Sequence, residues 1–91
     1  MRYFIFYTPE FKRNVKRFRK NYELISEIKK AILLFKKNPF SKGKILKGNL
    51  HPNRSVRILG KYRLIFEVKD LDKEVVLKAF NHRKSVYRKM R

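Results

Sequence analysis

The sequence predicts an α+β fold of order βααβββ, with a helix pair on one face of an antiparallel sheet and a short basic helix or tail at the end. Three observations predict it. An aromatic-rich run opens the chain, two apolar stripes with helical spacing follow, and three β-rich runs precede the basic tail. Because the chain has only 91 residues, these elements should share one core in a single domain, residues 1–91.

Capping signals place the first strand and the helix pair. The run "RYFIFYT" favours a strand because aromatic residues are enriched in strands. Thr8 can cap a helix and Pro9 suits its first turn. The second helix should end at "NP", residues 38–39, since the residue before a proline resists helix. The apolar stripes of the two helices are Phe11, Val15 and Phe18, then Leu24 or Ile25, Ile28, Ala31 with Ile32, and Phe35.

The runs "SVRIL", "YRLIFEV" and "EVVLKAF" predict an antiparallel meander, and the loop at Gly60 sets the register of its first two strands. A two-residue loop scatters the apolar residues over both faces, whereas a three-residue loop, Leu59 to Lys61, gathers them on one. With the longer loop, Arg57 lies directly across from Arg63 on the opposite face. The gathered residues are Val56, Ile58, Tyr62, Leu64, Phe66 and Val68.

The charge balance indicates a polyanionic partner. The chain has 26 Lys and Arg against 7 Asp and Glu, a formal charge of +19, and such like charges repel one another on a small protein. Nucleic acid is the commonest partner of this kind, although an acidic protein or an anionic membrane would satisfy the same electrostatics. No basic amphipathic helix dominates, so membrane binding is not expected. The early apolar run, Tyr3 to Tyr7, is too short for a signal peptide or a membrane span, and we expect a cytoplasmic protein.

Several kinds of catalytic site are excluded by composition and spacing. The absence of cysteine rules out disulfides, thiolate metal sites and thiol nucleophiles. The acidic residues do not cluster, neither histidine has a second at ligand spacing, and no P-loop is present. Any catalysis is therefore expected to need no metal and no cofactor.

Arg57 and Arg63 are the most informative cations. Like charges directly opposite on neighbouring strands destabilise a sheet, so their adjacency indicates that an anion normally lies between them. A guanidinium can hold a phosphate through two parallel hydrogen bonds. Cleavage of RNA by its own 2'-hydroxyl needs only such cations, an acid and a base. The closing stretch, "FNHRKSVYRKMR", adds His82 and Tyr87, although either residue taken alone is more often structural than catalytic.

At this point the residues resemble a known family. "SVRILGKYRLIFEV" and "VVLKAFNHRKSVY", in the order βααβββ, resemble the RelE/ParE superfamily of toxins from type II toxin–antitoxin systems. The most specific parts are the "YR" at Tyr62 and Arg63 and the "HRKSVY" of residues 82–87. The "ILKG" of residues 45–48 is similar to a loop of the family.

The resemblance implies the RelE-type branch, whose members are ribosome-dependent endoribonucleases that cut messenger RNA in the A site and inhibit translation. Their roles would fall here on Arg57, Arg63, Arg83 and Tyr87, with Arg63 and Arg83 on the scissile phosphate and Tyr87 stacking on a base or assisting proton transfer. The implied partners are the ribosome, messenger RNA and an acidic RelB-like antitoxin, with the toxin a monomer or part of a hetero-oligomer. Contacts to RNA or the ribosome are expected from Lys44, Lys47, Arg54, Lys61, Lys84 and Arg88.

Departures from the family pattern leave the general base open. Arg57 stands where some members have a lysine, and arginine does not release its proton at physiological pH. A second family lysine falls at Ser55, and Asn81 stands where glycine is usual. The base is then Tyr87, whose ionisation neighbouring cations would ease, or His82.

Two alternatives remain open at this point. The first is the ParE class, whose members poison DNA gyrase and lack the catalytic basic set. The second is a non-catalytic basic protein that binds RNA or the ribosome, which composition alone would favour.

Overall fold

The computed structural model describes the backbone of residues 2–89 and the side chains of residues 2–86. Its strands form one five-stranded sheet in the order β1-β5-β4-β3-β2. The strands are β1 (Phe4–Tyr7), β2 (Lys44–Ile45), β3 (Arg54–Ile58), β4 (Tyr62–Lys69) and β5 (Glu74–His82). The α-helices are α1 (Pro9–Arg17), α2 (Tyr22–Lys37) and α3 (Arg83–Lys89). The predicted α+β class is confirmed, including the helix pair and a short helix after the last strand.

Two details of the sheet go beyond the predicted topology. Strand β1 runs parallel to β5, with Ile5 opposite Val75, so the sheet is mixed rather than wholly antiparallel. Strand β2 is an added edge strand of two residues that pairs with β3. Neither pairing has a local sequence signal, because one joins the two ends of the chain and the other is very short.

The predicted register of β3 and β4 is confirmed. Ile58 pairs with Tyr62 and Arg57 pairs with Arg63, so the connecting loop has the three residues that the apolar pattern requires. The core lies between this face of the sheet and the helix pair, where the rings of Phe35 and Phe66 stack with centroids 4.3 Å apart. We call this face the helix-side face and the other the open face.

Helix α1 is tied to β5 by polar side chains. The Thr8 hydroxyl accepts a hydrogen bond from the Phe11 N–H at 3.2 Å and donates to the Leu77 carbonyl at 2.7 Å. Asn14 is buried, and its Oδ1 accepts from the Phe80 N–H at 2.9 Å. The capping residue predicted from sequence therefore also anchors the helix to the sheet.

A small apolar cluster lies on the open face. It consists of Ile65, Ala79 and Val86, with Leu46 packed against it. Because Val86 belongs to α3, this cluster holds the last helix against the face that carries Arg57 and Arg63. None of the helices within residues 2–89 has the length and apolar character needed to cross a membrane.

An exposed polar cluster joins the start of β1 to the turn before β5. The Tyr3 hydroxyl and the Lys73 ammonium both donate to the Asp70 carboxylate, and Lys73 also lies over the Tyr3 ring, 5.1 Å from its centroid. The hydrogen bond from Tyr3, followed by that from Lys73, holds the pKa of Asp70 below its ordinary value. The carboxylate therefore stabilises the fold above the pKa of the unfolded chain, and this contribution is lost as pH falls through the lower folded pKa.

Asp70→Asn is accordingly expected to lower the melting temperature at pH 7, and the difference from wild type should narrow as pH falls below about 4. Thermal denaturation across this pH range measures the effect. Asp72→Asn removes the same charge from the same turn and is the matched control. If the difference in melting temperature between Asp70→Asn and wild type stayed constant with pH, the lowered pKa of Asp70 would be contradicted.

Candidate active site

Three polar side chains form a row across the open face of the sheet. Arg57 on β3 pairs with Arg63 on β4, and Arg63 in turn pairs with Asn81 on β5. Directly opposite residues share a face, with Cβ atoms about 5 Å apart. Asn81 is 9% exposed, and the sequence did not predict it as a site residue. The arginine pair predicted from sequence is thus present, and Asn81 extends it.

The arginine pair borders an open pocket of about 480 Å³. Four cationic side chains line it, and no carboxylate does. The lining residues are Lys42, Gly43, Lys44, Leu46, Ser55, Val56, Arg57 and Arg63. A site with this charge attracts anions, and because the pocket is open it can admit an extended polyanion. Among the described residues, no three His, Cys, Asp or Glu side chains are grouped so that they could hold a metal ion.

Arg63 is held in place by the loop before it. Its Nη1 donates to the Gly60 carbonyl at 2.8 Å and to the Tyr62 carbonyl at 3.0 Å. A guanidinium has five N–H donors, so three remain beyond the two used here. The backbone contacts fix the orientation of the group before any ligand binds, which lowers the entropic cost of binding an anion.

Gly43 brings the pocket wall against β3. Its φ is +89°, and a Cβ built there would lie 2.7 Å from the Ser55 carbonyl oxygen. Only glycine adopts this conformation without strain and allows the two backbones to approach so closely. The approach places Lys42 and Lys44 beside the arginine pair.

His82 lies on the helix-side face, away from this pocket. It pairs with Tyr62, and the two rings are edge-to-face with centroids 5.9 Å apart. Its Nδ1 accepts a hydrogen bond from the Lys84 N–H at 3.2 Å, at the start of α3. Successive residues of a strand face opposite sides, so Asn81 reaches the open face and His82 does not. The structure therefore does not bring this candidate base to the site.

Arg54, predicted as an RNA contact, also faces the helix side. Its guanidinium lies over the Phe40 ring, 5.4 Å from the centroid, and its Nη2 donates to the Gly43 carbonyl at 3.5 Å. The strand alternation separates it from Arg57 on the same strand. Its contacts support the segment that forms the pocket wall.

The remaining candidates lie in loops and in α3. Arg83 and Lys84 are exposed in the first turn of α3, and the Arg83 N–H donates to the Lys61 carbonyl at 2.8 Å, which ties this helix to the β3–β4 loop. Lys47 and Lys61 are exposed loop residues. The side chains of Tyr87 and Arg88 lie outside the described residues.

The direct pairing of Arg57 with Arg63 predicts a measurable cost to stability. Arg57→Gln removes one of two facing like charges and should stabilise the free protein by about 0.2–1 kcal/mol at low salt, with a smaller gain at high salt. Thermal denaturation at two salt concentrations measures this. Lys20→Gln removes the same charge from the exposed turn between α1 and α2 and is the control. If both variants gained the same stability, the effect would come from the lower net charge of the protein and not from the facing pair.

Comparison with known families decides the class of the protein. Residues 5–87 match the family described as the ParE toxin of the parDE type II toxin–antitoxin system. The chain belongs to this toxin family. The resemblance to the RelE/ParE superfamily predicted from sequence is thereby confirmed. A comparison with curated proteins finds no match.

Solved structures of toxins share the fold of this ParE-family chain. The toxin–antitoxin complex RelBE2 of Mycobacterium tuberculosis contains a chain that is 26% identical, with a TM-score of 0.67 over 91% of this chain and 100% of that one. The DinJ–YafQ complex of E. coli contains a chain that is 16% identical, with a TM-score of 0.81 over 96% and 99%. A YoeB/ParE toxin of Agrobacterium tumefaciens is 18% identical, with a TM-score of 0.78 over 87% and 96%.

Proposed function

We propose that this ParE-family toxin is a ribosome-dependent endoribonuclease, which cuts messenger RNA in the A site and so stops translation. The observation that carries the proposal is the pairing of Arg57 with Arg63 on an open face without a neighbouring carboxylate in the pocket lining. Two facing guanidiniums are costly unless an anion lies between them. A backbone phosphate of single-stranded RNA fits between them and can accept hydrogen bonds from both.

The chemistry follows from these groups. The 2'-oxygen of the nucleotide attacks the adjacent phosphorus, the bond to the 5'-oxygen breaks, and the products carry a 2',3'-cyclic phosphate and a 5'-hydroxyl. Negative charge accumulates on the phosphate oxygens as the new bond forms, and fixed cations lower the energy of that state. Arg57 and Arg63 do this from the sheet, and Arg83 adds a third guanidinium from the start of α3.

In this proposal Tyr87, as the phenolate, takes the proton from the 2'-hydroxyl during attack and then gives it to the departing 5'-oxygen, which leaves as a hydroxyl. Arginine does not give up its proton, and His82 faces the other side of the sheet. Tyr87 follows Arg83 by four residues in α3, and residues at this spacing share one side of a helix. The resemblance to RelE-type toxins supports a tyrosine at this place in the chain.

An acidic antitoxin is the proposed partner that restrains this activity. The formal charge of +19 is unfavourable on so small a protein and is offset when an acidic chain binds. The RelBE2 and DinJ–YafQ structures are complexes of a toxin with its antitoxin, which supports the same assembly here. A ribosomal target supports the proposal that the protein acts in the cytoplasm.

Inhibition of DNA gyrase is the second candidate. The matching family is described as the ParE toxin, and ParE-class toxins poison gyrase. It requires no phosphate cleavage, so the arginine pair would then serve only in docking. The two candidates differ in the molecule that is damaged, and a supercoiling assay with purified gyrase measures the second directly.

Reconstituted translation tests the proposal. Purified wild-type protein is added to ribosomes translating a defined message, and RNA ends are mapped with and without ribosomes. Cuts at A-site codons that need the ribosome are expected. Uncut messages together with loss of supercoiling would favour the gyrase target. Uncut messages with RNA or ribosome binding intact would leave a non-catalytic binding protein.

A further inference from the structure

Lys44 lies beside the arginine pair although it comes from a different part of the chain. It is on the edge strand β2, where it pairs with Ser55 of β3. Directly opposite residues share a face, and Ser55 is two residues from Arg57, so all three side chains belong to the open face. Lys44, Arg57 and Arg63 line the same pocket.

The backbone on both sides of Lys44 is anchored. On one side, Gly43 packs against the Ser55 carbonyl, at a distance that excludes any side chain. On the other, Leu46 packs on the apolar cluster of the open face, and its N–H donates to the Asn53 carbonyl at 2.8 Å. An exposed lysine on a free loop would have no fixed position, whereas this one starts from a backbone that is fixed at both ends.

We propose that Lys44 is a third phosphate-binding residue of the sheet, so that the scissile phosphate lies among Lys44, Arg57 and Arg63. The inference rests on the proposed nuclease function and assigns to Lys44 a catalytic contact rather than general attraction of RNA. Strand β3 carries a neutral residue at Ser55, and the neighbouring strand supplies the positive charge on the same face. A lysine acts there as a compact point charge, complementing the planar guanidiniums.

The first test is single-turnover cleavage of a ribosome-bound message by charge-removing and charge-keeping variants. Lys44→Ala should slow cleavage by about 100-fold, while Lys44→Arg should stay within about tenfold of wild type because the charge is kept. Lys29→Ala removes the same charge from an exposed position of α2, on the other side of the sheet, and should cut like wild type. Equal rates for Lys44→Ala and Lys29→Ala, or equal losses in Lys44→Ala and Lys44→Arg, would overturn the assignment.

A binding measurement gives a second readout that does not depend on cleavage. Affinity for a 2'-O-methylated single-stranded RNA hexamer, which cannot be cut, is measured by fluorescence anisotropy at several salt concentrations. Loss of one phosphate contact should reduce the slope of log affinity against log salt by about 0.7 in Lys44→Ala and leave Lys29→Ala at the wild-type slope. An unchanged slope in Lys44→Ala would contradict the contact. If the protein is not a nuclease, the wild-type protein itself leaves the message uncut, and this outcome is distinct from a wrong assignment of Lys44.

Discussion

Arg63→Ala is expected to lower the rate of messenger RNA cleavage by about 10²–10³-fold, because it removes the central cation that stabilises the charge developing on the phosphate. Arg63 stands in the middle of the row, between Arg57 and Asn81, so no neighbour can replace its charge from the same position. The fold should survive. The side chain lies on the open face, and its two hydrogen bonds to backbone carbonyls are worth about 1 kcal/mol each.

The matched control for this variant is Arg19→Ala. Arg63 is half-buried and Arg19 is exposed, but Arg19 also donates to a backbone carbonyl, that of Lys16 at 3.1 Å, in the turn between α1 and α2. Its removal deletes the same charge and the same kind of contact away from the pocket. Single-turnover cleavage and thermal denaturation of both variants separate catalysis from stability. Cleavage by Arg63→Ala at the rate of Arg19→Ala would remove Arg63 from the site.

Val86→Asp is expected to abolish cleavage by a different route, by detaching α3 from the sheet. Val86 is 1% exposed and packs against Ile65 and Ala79. Burying a valine side chain contributes about 1.5–3 kcal/mol to stability. The apolar surroundings of residue 86 would also disfavour the charge of an aspartate carboxylate. A helix of seven residues does not persist in water without such packing. The loss of cleavage should be at least as large as in Arg63→Ala, because α3 carries both Arg83 and Tyr87.

The larger core should remain folded in this variant because it lies on the helix-side face. Hydrogen exchange should therefore quicken in residues 83–89 and stay slow in β4 and β5. Leu71→Asp adds the same carboxylate at a fully exposed position and is the control. A Val86→Asp protein that cuts normally, with protected amides in α3, would show that the helix does not depend on this contact.

The register of β3 and β4 could be predicted because it rests on a local constraint. A single loop length gathers the apolar residues on one face, and the same choice brings Arg57 opposite Arg63. The helices were equally accessible to prediction, since a capping residue such as Thr8 acts on amides three residues away.

The rest of the site depends on pairings between distant parts of the chain. Strand β2 is two residues long and has no periodicity to detect, so the pairing of Lys44 with Ser55 cannot be predicted from local sequence. The position of His82 did have a signal. Phe80 is an obvious core residue, and strand alternation from Phe80 places His82 on the same helix-side face.

The chemistry of the new RNA ends tests the central claim most directly. Fragments from ribosome-bound messages treated with the wild-type protein are isolated, and their termini are identified by mass spectrometry. Attack by the 2'-hydroxyl on a phosphate bound by Arg57 and Arg63 predicts a 2',3'-cyclic phosphate on the upstream fragment and a 5'-hydroxyl on the downstream fragment. A 3'-hydroxyl paired with a 5'-phosphate would mean that water attacks the phosphate, and it would contradict the mechanism assigned to the open face.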